Sequence, residues 1–266
     1  MQVLIPDVAR MHDTYNPSFA GMRPEPMAEH VVELREAVRK GKYDIGLATD
    51  GDADRVGAVD EKGNFVDSHR MFALLLKYFV EQKHLKGEVA KSLSVTEMID
   101  KMCAKYGLIL HETPVGFKYL CRLMVERDIL IAAEESGGIG IRGHVPERDG
   151  ILVGLLLCEM MIRRKKSLSA LVQELLDEYG KHYFNRIDLR ITESVKHRIM
   201  RKFNRRISNI AGQKVLHVQE TDGYKYFVDG GWLLVRPSGT EPLIRFYAEA
   251  DSEKKVNRLL DFATHI

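Results

Sequence analysis

Cysteine is scarce in this 266-residue chain. Cys103, Cys121 and Cys158 are scattered, which excludes a disulfide framework or a cysteine metal cluster and fits a reducing, cytoplasmic setting. An excess of one charge is also missing. Forty Lys+Arg against 38 Asp+Glu leave a net +2, giving no reason to expect nucleic acid or an anionic membrane as the main partner. No run approaches the roughly 18 apolar residues of a membrane span. The longest, Ile151 to Cys158, is broken by Gly154 and reads as a buried helix. The opening MQVLIPDVARMHD lacks a basic stretch followed by an apolar one, so no signal peptide is expected. Internal repeats and low-complexity tracts are absent too. With 45% hydrophobic and 29% charged residues the chain is too apolar for wholesale disorder. Its length suggests two domains and part of a third.

Beyond a proline-rich entry segment, local signals alternate. Pro26 is expected to open a helix that Gly41 stops. Tyr43–Ala48 reads as a buried strand feeding a loop, Val56–Asp60 as the next strand, and 61–64 as a tight turn. Helices are predicted at 71–84, 117–128 and 150–165, and strands at 89–93 and 129–133. Ser94-x-x-Glu97 reads as a capping box opening a helix that ends at Gly107. This alternation predicts an α/β layer with a mainly parallel sheet. A helix over 167–180 is expected to link domains. Thereafter strands at 183–191, 214–218, 224–228, 232–236 and 243–250, with helices at 193–210 and from 252 onward, predict a smaller α+β domain. Asp229-Gly230-Gly231 reads as a hairpin turn.

Chemistry concentrates in a few loops. Asp50, Asp52 and Asp54 alternate directly after an apolar strand. Three such carboxylates repel unless a cation sits between them, and oxygen ligands suit Mg²⁺ or Ca²⁺. The bland alternative is a solvated acidic loop. An EF-hand is disfavoured because Arg55 stands where that loop needs Gly. Arg236-Pro237-Ser238-Gly239-Thr240-Glu241-Pro242, with Arg245 beyond, combines small residues, hydroxyls and arginine forks suited to a phosphate; an ordinary turn is its rival. Glu134-Glu135-Ser136-Gly137-Gly138 follows a strand, where α/β sheets bind ligands, and Glu134 and Ser136 could bond sugar hydroxyls. Lys118, beside Gly116, lies in a helix's first turn, where a lysine is electrostatically disfavoured. It reads as a ligand-binding or proton-transferring residue, or as a snorkelling surface lysine. Arg142-Gly143-His144 and Arg148-Asp149-Gly150 read as a loop and a helix start. The basic stretch 198–206 reads as a solvated face.

Taken in order, ATDGDADR (48–55), TPVGFK (113–118), EESGG (134–138), RDG (148–150) and RPSGTEP (236–242) resemble the α-D-phosphohexomutases, the phosphoglucomutase/phosphomannomutase family. RPEPMAEHVVEL (23–34) is similar to that family's run ahead of its metal loop. The resemblance implies Mg²⁺ on Asp50, Asp52 and Asp54, with Arg55 catalytic beside a phosphoserine and Lys118 serving phosphosugar binding or acid–base work. It implies sugar contacts from Glu134, Ser136 and Gly137, and a phosphate grip from Arg236, Ser238, Gly239, Thr240 and Arg245. It also implies a division into a domain-2 remnant (1–66), an α/β domain 3 (67–166), and a linker helix with a TATA-binding-protein-like α+β domain 4 (167–266). The implied partner is a hexose phosphate, glucose or mannose 1- or 6-phosphate, with the sugar left open. A serine motif like T-A-S-H-N-P has no match here. The chain alone is therefore expected to be inactive, and self-association or an N-terminal-half partner is expected to cover its incomplete first domain. The alternative is a non-catalytic sugar-phosphate-binding module.

Overall fold

The computed structural model describes residues 8–239 and 241–265. It is layered as α/β units followed by a curled antiparallel sheet. In the first unit, α1 (Val32–Gly41) packs Leu34 and Val38 on a meander of β1 (Ile45–Thr49), β2 (Val56–Asp60) and β3 (Phe65–Val66). Strand β2 is buried along its whole length because α1 covers one face while Val56 and Ala58 enter the central core on the other. The expected burial of β1 is corrected: it is an edge strand with Leu47 exposed. Helix α1 also begins at Val32, not Pro26, since residues 27–31 form turns first.

The central unit runs α2 (Ser68–Glu81), β4 (Glu88–Ser92), α3 (Met98–Tyr106), β5 (Leu110–Thr113), α4 (Phe117–Glu126), β6 (Ile129–Ala133), β7 (Ile139–Ile141), α5 (Gly150–Arg164) and α6 (Leu168–Tyr179). Its sheet has the order β5-β4-β6-β7, parallel except for β7. Helix α4 closes one face through Phe117 and Leu120. Helices α2, α3, α5 and α6 share the large core on the other. Helix α6, expected as a linker, instead buries Leu168, Leu171 and Leu175 in that core. The expected capping box does not form. The Ser94 hydroxyl donates 2.7 Å to Glu135, and α3 starts beyond it with Thr96 accepting from the Met98 amide at 3.1 Å. The left-handed stop at Gly107 is present, with φ +65°.

The last unit holds β8 (Tyr183–Arg190), α7 (Glu193–Lys202), β9 (Asn209–Ile210), β10 (Gln213–Gln219), β11 (Tyr224–Val228), β12 (Gly231–Pro237), β13 (Leu243–Ala250) and α8 (Glu253–His265). The sheet order is β8-β13-β12-β11-β10-β9, all antiparallel. Helix α7 stops at Lys202, eight residues short of the prediction: Phe203 turns into the core and 209–210 become a strand. Asp229-Gly230 closes the β11–β12 hairpin, with Val228 opposite Gly231.

Strand alternation then decides what meets what. Leu233, Val235, Ile244, Phe246 and Ala248 pack in the core that holds α8. Trp232, Leu234 and Tyr247, on the opposite faces of the same strands, pack on Leu93 of the central unit. There the buried Lys225 donates 2.8 Å to the Leu93 carbonyl, its ammonium 4.4 Å from the Trp232 ring centre. Continuing along these faces, Arg236 and Arg245 emerge opposite one another at a cleft between the units.

Candidate active site

The cleft measures about 1220 Å³. Its walls come from the central unit (Lys118, Glu134, Ser136, Arg148), the last unit (Arg186, Arg236, Ser238, Gly239, Arg245), and Arg55 of the first.

Behind Arg55 at one end lies the aspartate turn. Ala53 takes a left-handed conformation (φ +62°), which folds the turn back on itself. Carboxylate oxygens of Asp50, Asp52 and Asp54 lie within 4.8 Å of one another. Asp50 accepts 3.1 Å from the Arg55 amide and also pairs with the Arg55 guanidinium. Burial opposes its charge, but these bonds outweigh burial and hold its carboxyl below the ordinary value. Asp54 behaves oppositely. Burial, with the Asp50 and Asp52 charges added, pushes its carboxyl up against the opposing Arg148. Its buried Oδ1 makes no hydrogen bond and lies 3.6 Å from the Arg55 Nε, while Oδ2 pairs with Arg148. Three carboxylates converging this closely fit a hard divalent cation, and these three residues could hold one.

The sugar-loop candidates sit beside this turn. The Arg55 backbone bridges Gly138, and the Val56 amide donates 3.3 Å to the Gly137 carbonyl. Gly137 itself does not line the cleft. Its φ of +100° and a virtual Cβ 2.8 Å from the Val56 carbonyl explain the glycine as a backbone joint. Glu134 is 5% exposed. It accepts 2.8 Å from the Gly116 amide and lies 3.4 Å from Arg148. Burial first, then the neighbouring Glu135, pushes its carboxyl up to about 7 against the pull of Arg148. Such a group can both donate to and accept from hydroxyls near neutral pH. Lys118 is exposed at the start of α4, its ammonium 5.0 Å from the Tyr119 ring centre.

The opposite end is basic. Arg236 donates 2.6 Å to Asp222, which also accepts from the Val115 amide at 3.1 Å, tying the last unit to the central one. The buried Nε of Arg245 lies 3.5 Å from Asp188, and its Nη2 lies 3.5 Å from Glu241. Ser238 is buried; its hydroxyl accepts 3.1 Å from the Glu241 amide, and Lys196 donates 3.0 Å to its carbonyl. Thr240 lies outside the described residues.

Three family models match successive parts of the chain, the middle one taking in α6. The models for "Phosphoglucomutase/phosphomannomutase" α/β/α domain II, α/β/α domain III and the C-terminal domain match residues 2–63, 67–179 and 189–265. This chain belongs to the phosphoglucomutase/phosphomannomutase family. A Thermococcus kodakarensis phosphoglucomutase/phosphomannomutase is 32% identical over 91% of the chain and 51% of its own length. A Carboxydothermus hydrogenoformans phosphoglucosamine mutase is 34% identical over 86% of the chain and 47% of its own length. A crystal structure from Thermus thermophilus, titled as a phosphomannomutase, superposes with a TM-score of 0.82 at 32% identity, over 96% of this chain and 53% of that one. The chain thus spans about half the length of the curated relatives it matches.

The structure brings together Arg55, Lys118, Glu134, Ser136, Arg236, Ser238, Gly239 and Arg245 around one cleft, with the three aspartates just behind Arg55. It adds Arg148 and Arg186, which the sequence reading left unassigned. Arg186 had a usable signal: Arg186, Asp188 and Arg190 alternate with Ile187, Leu189 and Ile191, a strand with one charged face. Arg148 stood before a helix cap and within the RDG stretch that matches the family, without a role of its own.

Proposed function

We propose that this chain carries the cation, sugar and phosphate sites of a phosphohexomutase that interconverts hexose 1- and 6-phosphates, glucose or mannose, through a phosphoserine and Mg²⁺ in the cytoplasm. The observation that carries this reading is a single cleft lined by Arg55, Glu134, Ser136, Arg236 and Arg245, with three converging carboxylates directly behind Arg55.

In this reading Asp50, Asp52 and Asp54 hold Mg²⁺, which neutralises charge on a transferring phosphoryl group. Arg55, locked on Asp50, presents its remaining N–H groups to that phosphoryl's oxygens. Glu134 and Ser136 orient ring hydroxyls, with Lys118 at the rim. Arg236 and Arg245 grip the phosphate that does not move, beside the Ser238-Gly239 backbone; Thr240 belongs to the same loop. Positioning and electrostatics then carry the catalysis.

The nucleophile has no counterpart in this sequence, so the 266-residue chain is expected to bind hexose phosphate without turning it over. Calorimetric titration with glucose 6-phosphate in Mg²⁺, run beside a coupled mutase assay, tests both halves. Absence of binding rejects the site, and substantial turnover rejects the inactivity. The second reading, a sugar-phosphate-binding module, is favoured by that same missing serine motif. Failure of a supplied N-terminal half to restore turnover would select it.

A further inference from the structure

Arg148 joins more parts of the site than any other side chain in the cleft. Its guanidinium pairs with Asp54 in the aspartate turn and lies 3.4 Å from Glu134 in the sugar loop and 3.6 Å from Glu147. It also lies 5.3 Å from the ring centre of Phe117, at the start of α4. Its aliphatic stem covers Gly138 so closely that any Cβ there would collide with it. The next two residues fasten this clasp. Asp149 caps α5 by accepting 2.9 Å from the Leu152 amide, and its own amide donates 3.3 Å to Ile139. The Gly150 amide donates 3.0 Å to Ala53, inside the aspartate turn, where a Cβ would lie 2.7 Å from the Arg55 carbonyl.

We propose that Arg148 is a positioning residue that couples the cation site to the sugar site. Asp54 is shared: a cation at the aspartate turn and Arg148 draw on the same carboxylate. Glu134 is the other claimant on the guanidinium. A cation that satisfies Asp54 therefore weights Arg148 toward Glu134, which holds that carboxylate in place for ring hydroxyls. By reciprocity, a sugar that engages Glu134 eases the competition at Asp54 and tightens cation binding by the same factor. This inference rests on the functional reading above.

The test is calorimetric titration of Mg²⁺ into the full chain, with and without saturating glucose 6-phosphate, for the wild type, R148M and R148K, each checked for fold by circular dichroism. In the wild type the sugar phosphate should tighten Mg²⁺ at least about fivefold, the low end of usual coupling between sites. R148M should bind Mg²⁺ as tightly as the wild type or tighter without sugar, because a competitor for Asp54 is gone. It should bind glucose 6-phosphate more weakly in saturating Mg²⁺, with coupling reduced about threefold or more. R148K keeps a point charge for which the two carboxylates still compete, so it should keep the fold and retain part of the coupling. A merely structural Arg148 would weaken both ligands together, and that result overturns the proposal. So does wild-type coupling that R148M and R148K leave unchanged, or independent binding of the two ligands to the wild type. Failure of the wild type to bind glucose 6-phosphate in saturating Mg²⁺ instead overturns the functional reading on which the coupling depends.

Discussion

The two ends of the cleft solve the same electrostatic problem with opposite signs. At the aspartate turn three carboxylates converge, and two arginines, Arg55 and Arg148, compensate part of their charge. At the other end Arg236 and Arg245 face each other across neighbouring strands, and Asp222, Asp188 and Glu241 compensate part of theirs. Like charges placed opposite each other destabilise a sheet or a turn unless something intervenes. At both ends one buried atom has an ion pair but no hydrogen bond: Asp54 Oδ1, 3.6 Å from Arg55, and Arg245 Nε, 3.5 Å from Asp188. The lesson is that internal counter-charges of opposite sign let three carboxylates and two arginines converge in one folded chain.

Breaking the acidic end should have the largest effect. Replacing Asp54→Asn should weaken Mg²⁺ by at least about 100-fold, since even outer partners of a metal site cost about 10- to 100-fold. Inorganic phosphate binding should stay within about twofold, and calorimetry of both ligands checks the asymmetry. Loss of both would mean that the ends are not separable.

Glu134, between them, sharpens the contrast through pH. Its folded carboxyl is raised to about 7 from an ordinary 4.5, so below pH 4.5 it is protonated folded or unfolded and opposes nothing. As pH climbs toward 7 the folded state must keep a proton or bury a charge, and stability falls. Glu134→Gln should remove this loss, gaining on the order of 3 kcal/mol relative to wild type between those limits. Urea melts of both proteins at pH 4.5 and 7.5 measure it, and a pH-independent difference would contradict the assignment.

At the basic end, Arg245→Met should weaken glucose 6-phosphate about tenfold, in line with roughly 1.5 kcal/mol for a hydrogen bond to a charged group. Mg²⁺ affinity should be unchanged. Equal weakening of glucose and glucose 6-phosphate would place Arg245 on the sugar instead.

The smallest effect concerns the first unit. Leu47 on edge strand β1 lies over Gly154 of α5, near the exposed Leu155 and Ile151. If this surface packs on a preceding unit or a second copy, Leu47→Lys should abolish self-association seen by light scattering, or capture of a supplied N-terminal half. A wild-type monomer that ignores such a half would dismiss that role.

Much of the site was legible because short loops follow strands, and strand ends put them on one rim. The alternate aspartates, the Glu134-Ser136 loop and the Arg236–Gly239 turn are each contiguous, so their chemistry can be read without knowing the fold. Strand β12 was legible as a strand but its two faces were not, since Trp232, Leu233, Leu234 and Val235 are all apolar and all buried. What escaped is set by tertiary contact. Ser94 has the spacing of a cap, yet its hydroxyl goes to Glu135, 41 residues away. Residues 203–210 continue a helical pattern, yet Phe203 is drawn into the core beside Tyr226 and Phe246. Arg148 matters through partners on three other segments, and nothing in its immediate neighbours announces them.

Strand β12 has one more consequence. Trp232, which is wedged against the central unit, and Arg236, which reaches the cleft, share a face four residues apart, about 13 Å along an extended backbone. The anchor and the grip are marks on one ruler. The span from docking seam to cleft is therefore measured out by peptide geometry.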